Sequence, residues 1–274
     1  MNLIKQLIKF YIDSSLHIAA SVISMCLVTE IIYKLNISLN FYLFVFFSSV
    51  LGYNFIKYFG ITKFHYRSLT SRFKEIQLLS FLSLITIIFS FFQLKSSVKL
   101  SAVILCFITF TYEIPFEKSP SLRKIKGLKV YIIALVWALT SVGLPLLESS
   151  IFFSKENLIT LFTRFLFVVV LMLPFEIRDL SYDDLNLSTI PQTIGVKNTK
   201  YLGFCFLIII AILELLIQNH LIQYKIIFLF ILIITAFMLS KSNSKRQLNF
   251  TALWVEGIPI LWGFLLWVSL LFQS

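Results

Sequence analysis

Long apolar runs separated by short polar connections dominate the chain. A bilayer crossing needs about 20 mostly apolar residues. Nine stretches meet that length, at roughly 14–33, 41–59, 75–93, 97–114, 128–147, 157–177, 200–217, 223–240 and 252–272. Few breaks interrupt them, since the whole chain holds 8 Gly and 6 Pro, and no repeat of fixed period is visible. The pattern predicts an all-α polytopic membrane helical bundle of about nine transmembrane helices, forming one integral membrane domain over residues 1–274.

Composition agrees with the pattern. Of 274 residues, 58% are hydrophobic and 14% charged, against about 45–50% and about 25% in soluble domains. An ordinary soluble fold, a disordered chain and a fibrous one are excluded. The opening MNLIKQLIKFYIDSSLH lacks a small-residue cleavage site, so no removed signal peptide is expected. Cys26, Cys106 and Cys205 each sit inside an apolar run and read as small buried hydrophobes, not as a disulfide framework.

The net charge of +11 would suggest nucleic acid in a soluble protein. Here it reports orientation, because cytoplasmic loops of membrane proteins are enriched in Lys and Arg. With a cytoplasmic N-terminus, 18 of the 24 Lys and Arg fall on inside segments, five outside, and one, Arg164, within a span. The expected placement is therefore an integral membrane protein, of a bacterial inner membrane, with its C-terminus outside and no nucleic-acid partner. The inside connections at 60–74, 115–127 and 178–199 are longer than the outside ones and carry charges of both signs. Either chemistry sits on that face or these loops are simply solvated.

The sharpest polar cluster is FEIRDLSYDDLNLSTIP, at 175–191. Asp179 and Asp183 are spaced i, i+4, which on a helix puts both carboxylates on one face. Two such carboxylates can share a Mg²⁺ ion, which is usually held by one or two carboxylates plus substrate phosphates and water. They can equally cap a helix or belong to a solvated loop. Arg178, Glu176 and Asp184 lie beside them. Thr189, Pro191 and Gly195 come next and are expected to end the helix and turn the chain. The neighbouring loop EIPFEKSPSLRKIKGLK supplies five cations within twelve residues, including Lys118 and Arg123. These can offset phosphate charge or serve as positive-inside anchors. Asn54 sits inside the second span, where a polar group is either functional or a helix–helix hydrogen-bond partner. Lys57 lies one turn on, with Arg67 in the next loop. Arg164 and Glu214 both fall toward the outer side and can pair.

Nine spans, an inside N-terminus and a DxxxD motif after the sixth span resemble the UbiA superfamily of intramembrane prenyltransferases. PFEIRDLSYDDLNLSTIPQTIGVKNTKYLG is similar to the family's second aspartate motif, with Asp179, Asp183, Thr189, Pro191 and Gly195 at the matching positions. YEIPFEKSPSLRKIKGLK resembles the connection between the fourth and fifth helices. Lys118 matches the lysine of a Tyr-x-x-x-Lys pattern, and Ile114 replaces the tyrosine. The family's first motif, NDxxDxxxD with an Arg after it, is matched at Asn54 and Arg67 only. Phe55, Tyr58 and Thr62 stand at its three aspartates.

The resemblance implies an enzyme, a prenyltransferase. It implies a prenyl diphosphate substrate, a lipophilic acceptor of unspecified identity, surrounding membrane lipids, and transfer or cyclisation of the prenyl group within the membrane. It implies Mg²⁺ at Asp179 and Asp183, the catalytic pair, in a reduced metal site. It implies diphosphate binding by Asn54, Lys57, Arg67, Lys118, Arg123 and Arg178, with Lys57 near the space of the lost acids. A catalytically inactive relative that binds an isoprenoid, a lipid or a membrane partner is the alternative. A small transporter using Arg164, Glu214 and Glu256 is the third reading.

Overall fold

The computed structural model describes residues 3–58, 72–114, 122, 125, 127–151, 154–181, 187–217, 220–244 and 250–272. Within them the chain is helical: α1 (Leu3–Asp13), α2 (Leu16–Tyr33), α3 (Leu39–Tyr58), α4 (Phe73–Gln93), α5 (Ser96–Glu113), α6 (Lys129–Ala138), α7 (Leu144–Glu148), α8 (Lys155–Asp179), α9 (Ile190–Leu216), α10 (Ile222–Lys241) and α11 (Ile258–Leu271). A π-helical turn, Leu139–Gly143, joins α6 to α7, and a second, Phe250–Val255, precedes α11. Nine segments among the described residues are long and apolar enough to cross a membrane. Each overlaps one of the nine stretches expected from the sequence. α1 is an additional helix, too short to span.

The helices sort by burial. α8 is the most enclosed and, with α2 and the α6–α7 helix, forms the interior. Arg164, Phe167, Leu173 and Ile177 of α8 are fully buried. α4 and α5 are mostly exposed and carry Phe81, Phe89, Phe92, Phe107 and Phe110 outward. Apolar side chains facing outward are stable in lipid and costly in water, which suits a peripheral membrane helix. Cys26 is buried, but Cys106 and Cys205 are exposed; these two point off the bundle instead of into a core.

Small residues allow the closest approaches, as membrane helices require. At Gly203 of α9 a methyl group would lie 2.4 Å from Leu239 and 2.9 Å from Leu173. At Gly263 of α11 it would lie 3.1 Å from Ser24 of α2.

The two π turns leave carbonyls without the usual helical partners, and α2 donates to both. Thr29 Oγ1 donates to Ser141 O (2.6 Å) and Cys26 Sγ to Thr140 O (3.6 Å). At the other turn the His17 ring bonds Leu253 O (3.0 Å) and Ser21 Oγ donates to the carbonyl of Glu256. A π turn inserts one residue into the helical register and rotates the residues after it. The second one directs Glu256 toward the interior.

α9 begins ten residues before its apolar stretch. Thr189 caps it with Gln192 in a reciprocal capping box, and Pro191 stands in the first turn. Thr189 and Pro191 therefore start a helix, where the sequence pattern led to the expectation that they end one. Gly195, at φ 78°, kinks the helix where a side chain would be strained.

Candidate functional site

A cavity of about 840 Å³ opens at one end of the bundle, where α3 and α8 finish and α6 and α11 begin. That is the end which the charge pattern assigns to the cytoplasm. Its wall has two parts. Deeper in it is apolar and aromatic, with Ile18, Tyr53, Ile133, Trp137 and Met172; toward the mouth it is charged. Trp137 Nε1 donates to the Tyr53 hydroxyl, and the rings meet edge to face at 6.3 Å between centroids. The bond satisfies the buried indole and fixes both rings against the cavity.

The charged part brings together Lys57, Arg178 and Asp179, which the sequence singled out, with Lys129, Glu176 and Glu256. Arg178 Nε and Nη2 donate to the two carboxylate oxygens of Asp179 at 2.6 and 2.8 Å, and Nη1 donates to Thr251 Oγ1. A bidentate pair of this kind is geometrically specific. Its result is an oriented guanidinium at the mouth, not an open carboxylate. Glu176, almost fully buried, accepts from the amide of Ile190 at 3.1 Å and lies 3.8 Å from Lys129 Nζ. A carboxylate at the first turn of α9 is favourably placed for the helix dipole. Glu176 thus ties α6, α8 and α9 together beside the cavity. Glu256 lies within electrostatic reach of both Lys57 and Arg178.

Lys57 Nζ donates to Ile12 O at 2.9 Å, and the Tyr58 hydroxyl donates to Asp13 O at 2.8 Å. Both acceptors are at the C-terminal end of α1. Tyr58, which stands at an aspartate position of the first motif, and its neighbour Lys57 are therefore both engaged by the N-terminal helix.

Asn54 stands elsewhere. It is buried between α3 and α4, donates to Ser80 Oγ at 3.1 Å, and borders a separate small groove. It makes a helix–helix hydrogen bond and does not line the cavity. α8 ends at Asp179. Asp183, Arg67, Lys118 and Arg123 lie outside the described residues. Arg164 and Glu214, whose positions allowed a pair, have other close partners: Arg164 donates to Met25 O (3.0 Å) and stacks on Trp262, while Glu214 pairs with His220 at 2.6 Å.

Sequence reasoning named Glu256 only for the transporter reading, and it missed Tyr53, Trp137 and the lysines of α1. Glu256 is a lone acid in an otherwise apolar final span, and the repeated Lys and Ile of LIKQLIKFYID form an amphipathic stripe. Those were the available signals.

The described residues hold no group of three or more His, Cys, Asp or Glu side chains. Both oxygens of Asp179 are occupied by Arg178, and the facing wall offers Lys57. Among the described residues this donor set does not complete a Mg²⁺ shell, which needs several carboxylate and water oxygens in near-octahedral geometry, and Asp183, the other expected ligand, lies outside them.

No protein-family model matches the chain, and no curated protein matches its sequence. Solved structures do. A UbiA homologue from Archaeoglobus fulgidus bound to GPP and Mg²⁺ superposes with a TM-score of 0.66 at 14% identity, covering 94% of this chain and 98% of that one. An apo UbiA homologue from Aeropyrum pernix K1 gives 0.65 at 14% identity, covering 92% and 98%. A digeranylgeranylglyceryl phosphate synthase gives 0.59 at 16% identity, covering 96% of each chain. The chain is thus similar over nearly its full length to these proteins, and it has the UbiA-type fold of an integral membrane helical bundle.

Proposed function

We propose that this chain is a divergent UbiA-type prenyltransferase, one domain over residues 1–274, that binds a prenyl diphosphate in the cavity. The observation that carries the reading is the union of Lys57, Arg178 and Asp179 with an aromatic and aliphatic chamber in one cavity. The prenyl chain fits the apolar part, where burial is worth about 25 cal/mol per Å². The diphosphate fits the charged mouth.

Departure of diphosphate concentrates negative charge on its bridging and terminal oxygens. Pre-oriented cations at that point stabilise the charge without reorganising as it develops. Arg178, fixed by Asp179 and Thr251, meets that requirement. The faces of Tyr53 and Trp137 are available to the cationic carbon left behind. Glu256, which lines the cavity beside Ala252 and Leu253, is the candidate to accept a proton from the product or the acceptor. The expected Mg²⁺ enters no step here, because the described donors do not fit it.

The charge pattern supports a mouth at the cytoplasmic face and a C-terminus outside, and the proposed location is a bacterial inner membrane. The acceptor is a lipophilic molecule entering from the membrane.

The test is purified protein in nanodiscs with radiolabelled prenyl diphosphates and a panel of lipophilic acceptors. Diphosphate release above that of empty nanodiscs is expected. Saturable binding with no product from any diphosphate would replace this reading with the non-catalytic one. Phe55, Tyr58 and Thr62 at the three aspartate positions of the first motif favour that alternative.

A further inference from the structure

α1 is not a passive extension. Ser15, in the left-handed backbone region (φ 63°), reverses the chain and lays α1 against the bundle end. Three donors from α3 and the start of α4 hold it there. Lys57 donates to Ile12 O, Tyr58 to Asp13 O, and Arg72 to Gln6 O. All three bond to backbone carbonyls, so they fix the helix whatever its side chains are.

Docked in this way, α1 turns one face to the cavity. Lys5, Ile8, Lys9 and Ile12 line it, with Asp13 at the end of the helix. Their spacing of i, i+3, i+4 and i+7 is one helical stripe. The cations already described have partners: Arg178 has Asp179 and Thr251, Lys129 has Glu176, and Lys57 has the Ile12 carbonyl. Lys5 and Lys9 make no hydrogen bond or ion pair with any described residue, and both are exposed at the mouth. Among the described residues they are the uncommitted positive charge of this cavity.

Resting on the prenyl diphosphate reading above, we propose that α1 is the anion-binding wall of the site, with Lys5 and Lys9 holding the terminal phosphate where a divalent metal would otherwise be needed. Lys57 and Tyr58 act as positioning residues by docking the helix. The arrangement explains how a cavity can lose the acids of a metal site and still receive a phosphorylated prenyl chain. A second source of the same phosphate chemistry is an anionic lipid headgroup, and the test separates the two.

The probe is geranyl thiodiphosphate, with geraniol as the uncharged control, binding to the full chain in nanodiscs of pure phosphatidylcholine with EDTA present. Tight, saturable binding that EDTA does not weaken is expected. Solvent screens contacts at exposed lysines, so Lys5→Ala/Lys9→Ala should weaken thiodiphosphate binding by about tenfold or more. Geraniol binding should be unchanged, and Lys5→Arg/Lys9→Arg should restore the affinity. Both lysines are exposed, so neither variant threatens the fold. Loss of thiodiphosphate binding in EDTA would overturn the proposal. So would a double-alanine variant that binds normally in phosphatidylcholine and differs only once phosphatidylglycerol is added, since the lysines would then serve the membrane. Failure of both geranyl thiodiphosphate and geraniol to bind saturably would overturn the prenyl reading itself, and this proposal with it.

Discussion

Lys57 Nζ donates to the carbonyl oxygen of Ile12 across 2.9 Å, so a residue of the second span holds the last turn of the N-terminal helix. The bond joins a cation to the carbonyl-rich end of a helix, where positive charge is favoured. It also places an ammonium group beside the cavity, in the region where the resemblance would have put metal-binding acids.

Removing that ammonium should release α1. In Lys57→Met the aliphatic stem remains and the donor is lost. A hydrogen bond from a charged group contributes about 1.5–3 kcal/mol, so amides of residues 3–13 should exchange at least tenfold faster with solvent deuterium. Hydrogen–deuterium exchange by mass spectrometry in nanodiscs reads this directly. Unchanged exchange would show that Tyr58 and Arg72 suffice to dock the helix.

The Arg178–Asp179 pair should matter through geometry more than charge. Asp179→Asn keeps size but cannot hold the guanidinium at two points. Turnover, measured as diphosphate release, should fall about tenfold or more, in line with the loss of one charge-assisted contact. The change should appear in kcat with little change in KM. Arg178→Lys should not rescue activity, because a lysine lacks the planar fork. Full activity in Asp179→Asn would remove this residue from the site.

Asn54 should be nearly silent. Its place in the second span marks it as a candidate, but its side chain bonds Ser80 on the neighbouring helix. Such contacts average about 0.6 kcal/mol in membrane proteins. Asn54→Leu should therefore lower thermal stability slightly and leave prenyl diphosphate binding unchanged. A large loss of binding would restore Asn54 to the site.

Gly257 should be intolerant of a methyl group. A Cβ there would come within 2.6 Å of the Leu253 carbonyl oxygen, which the His17 ring also bonds. Relieving the clash must shift the π turn that aims Glu256. Overpacking of this kind costs about 1–3 kcal/mol. Gly257→Ala should lower the melting temperature by several degrees in a thermal-shift assay, and Ser21→Ala by less.

The sequence by itself determined the class and the number of spans. A bilayer demands runs of some 20 apolar residues whatever surrounds them, so length and hydropathy are local properties that the chain states outright. The resemblance carried by Asp179, Thr189, Pro191 and Gly195 also led to the UbiA-type fold that the solved structures share. Tertiary structure alone decided which polar residues meet. Asn54 and Lys57 are three residues apart, yet one faces α4 and the other the cavity, because helix rotation is set by packing partners. Glu256 reaches the interior through a π turn that no apolar period announces. The docking of α1 relies on backbone carbonyls, which every residue carries and which leave no mark in a sequence. That Asp179 accepts two hydrogen bonds from its neighbour Arg178 is likewise a matter of tertiary structure, since spacing describes where a carboxylate stands and not which way its neighbour's side chain turns.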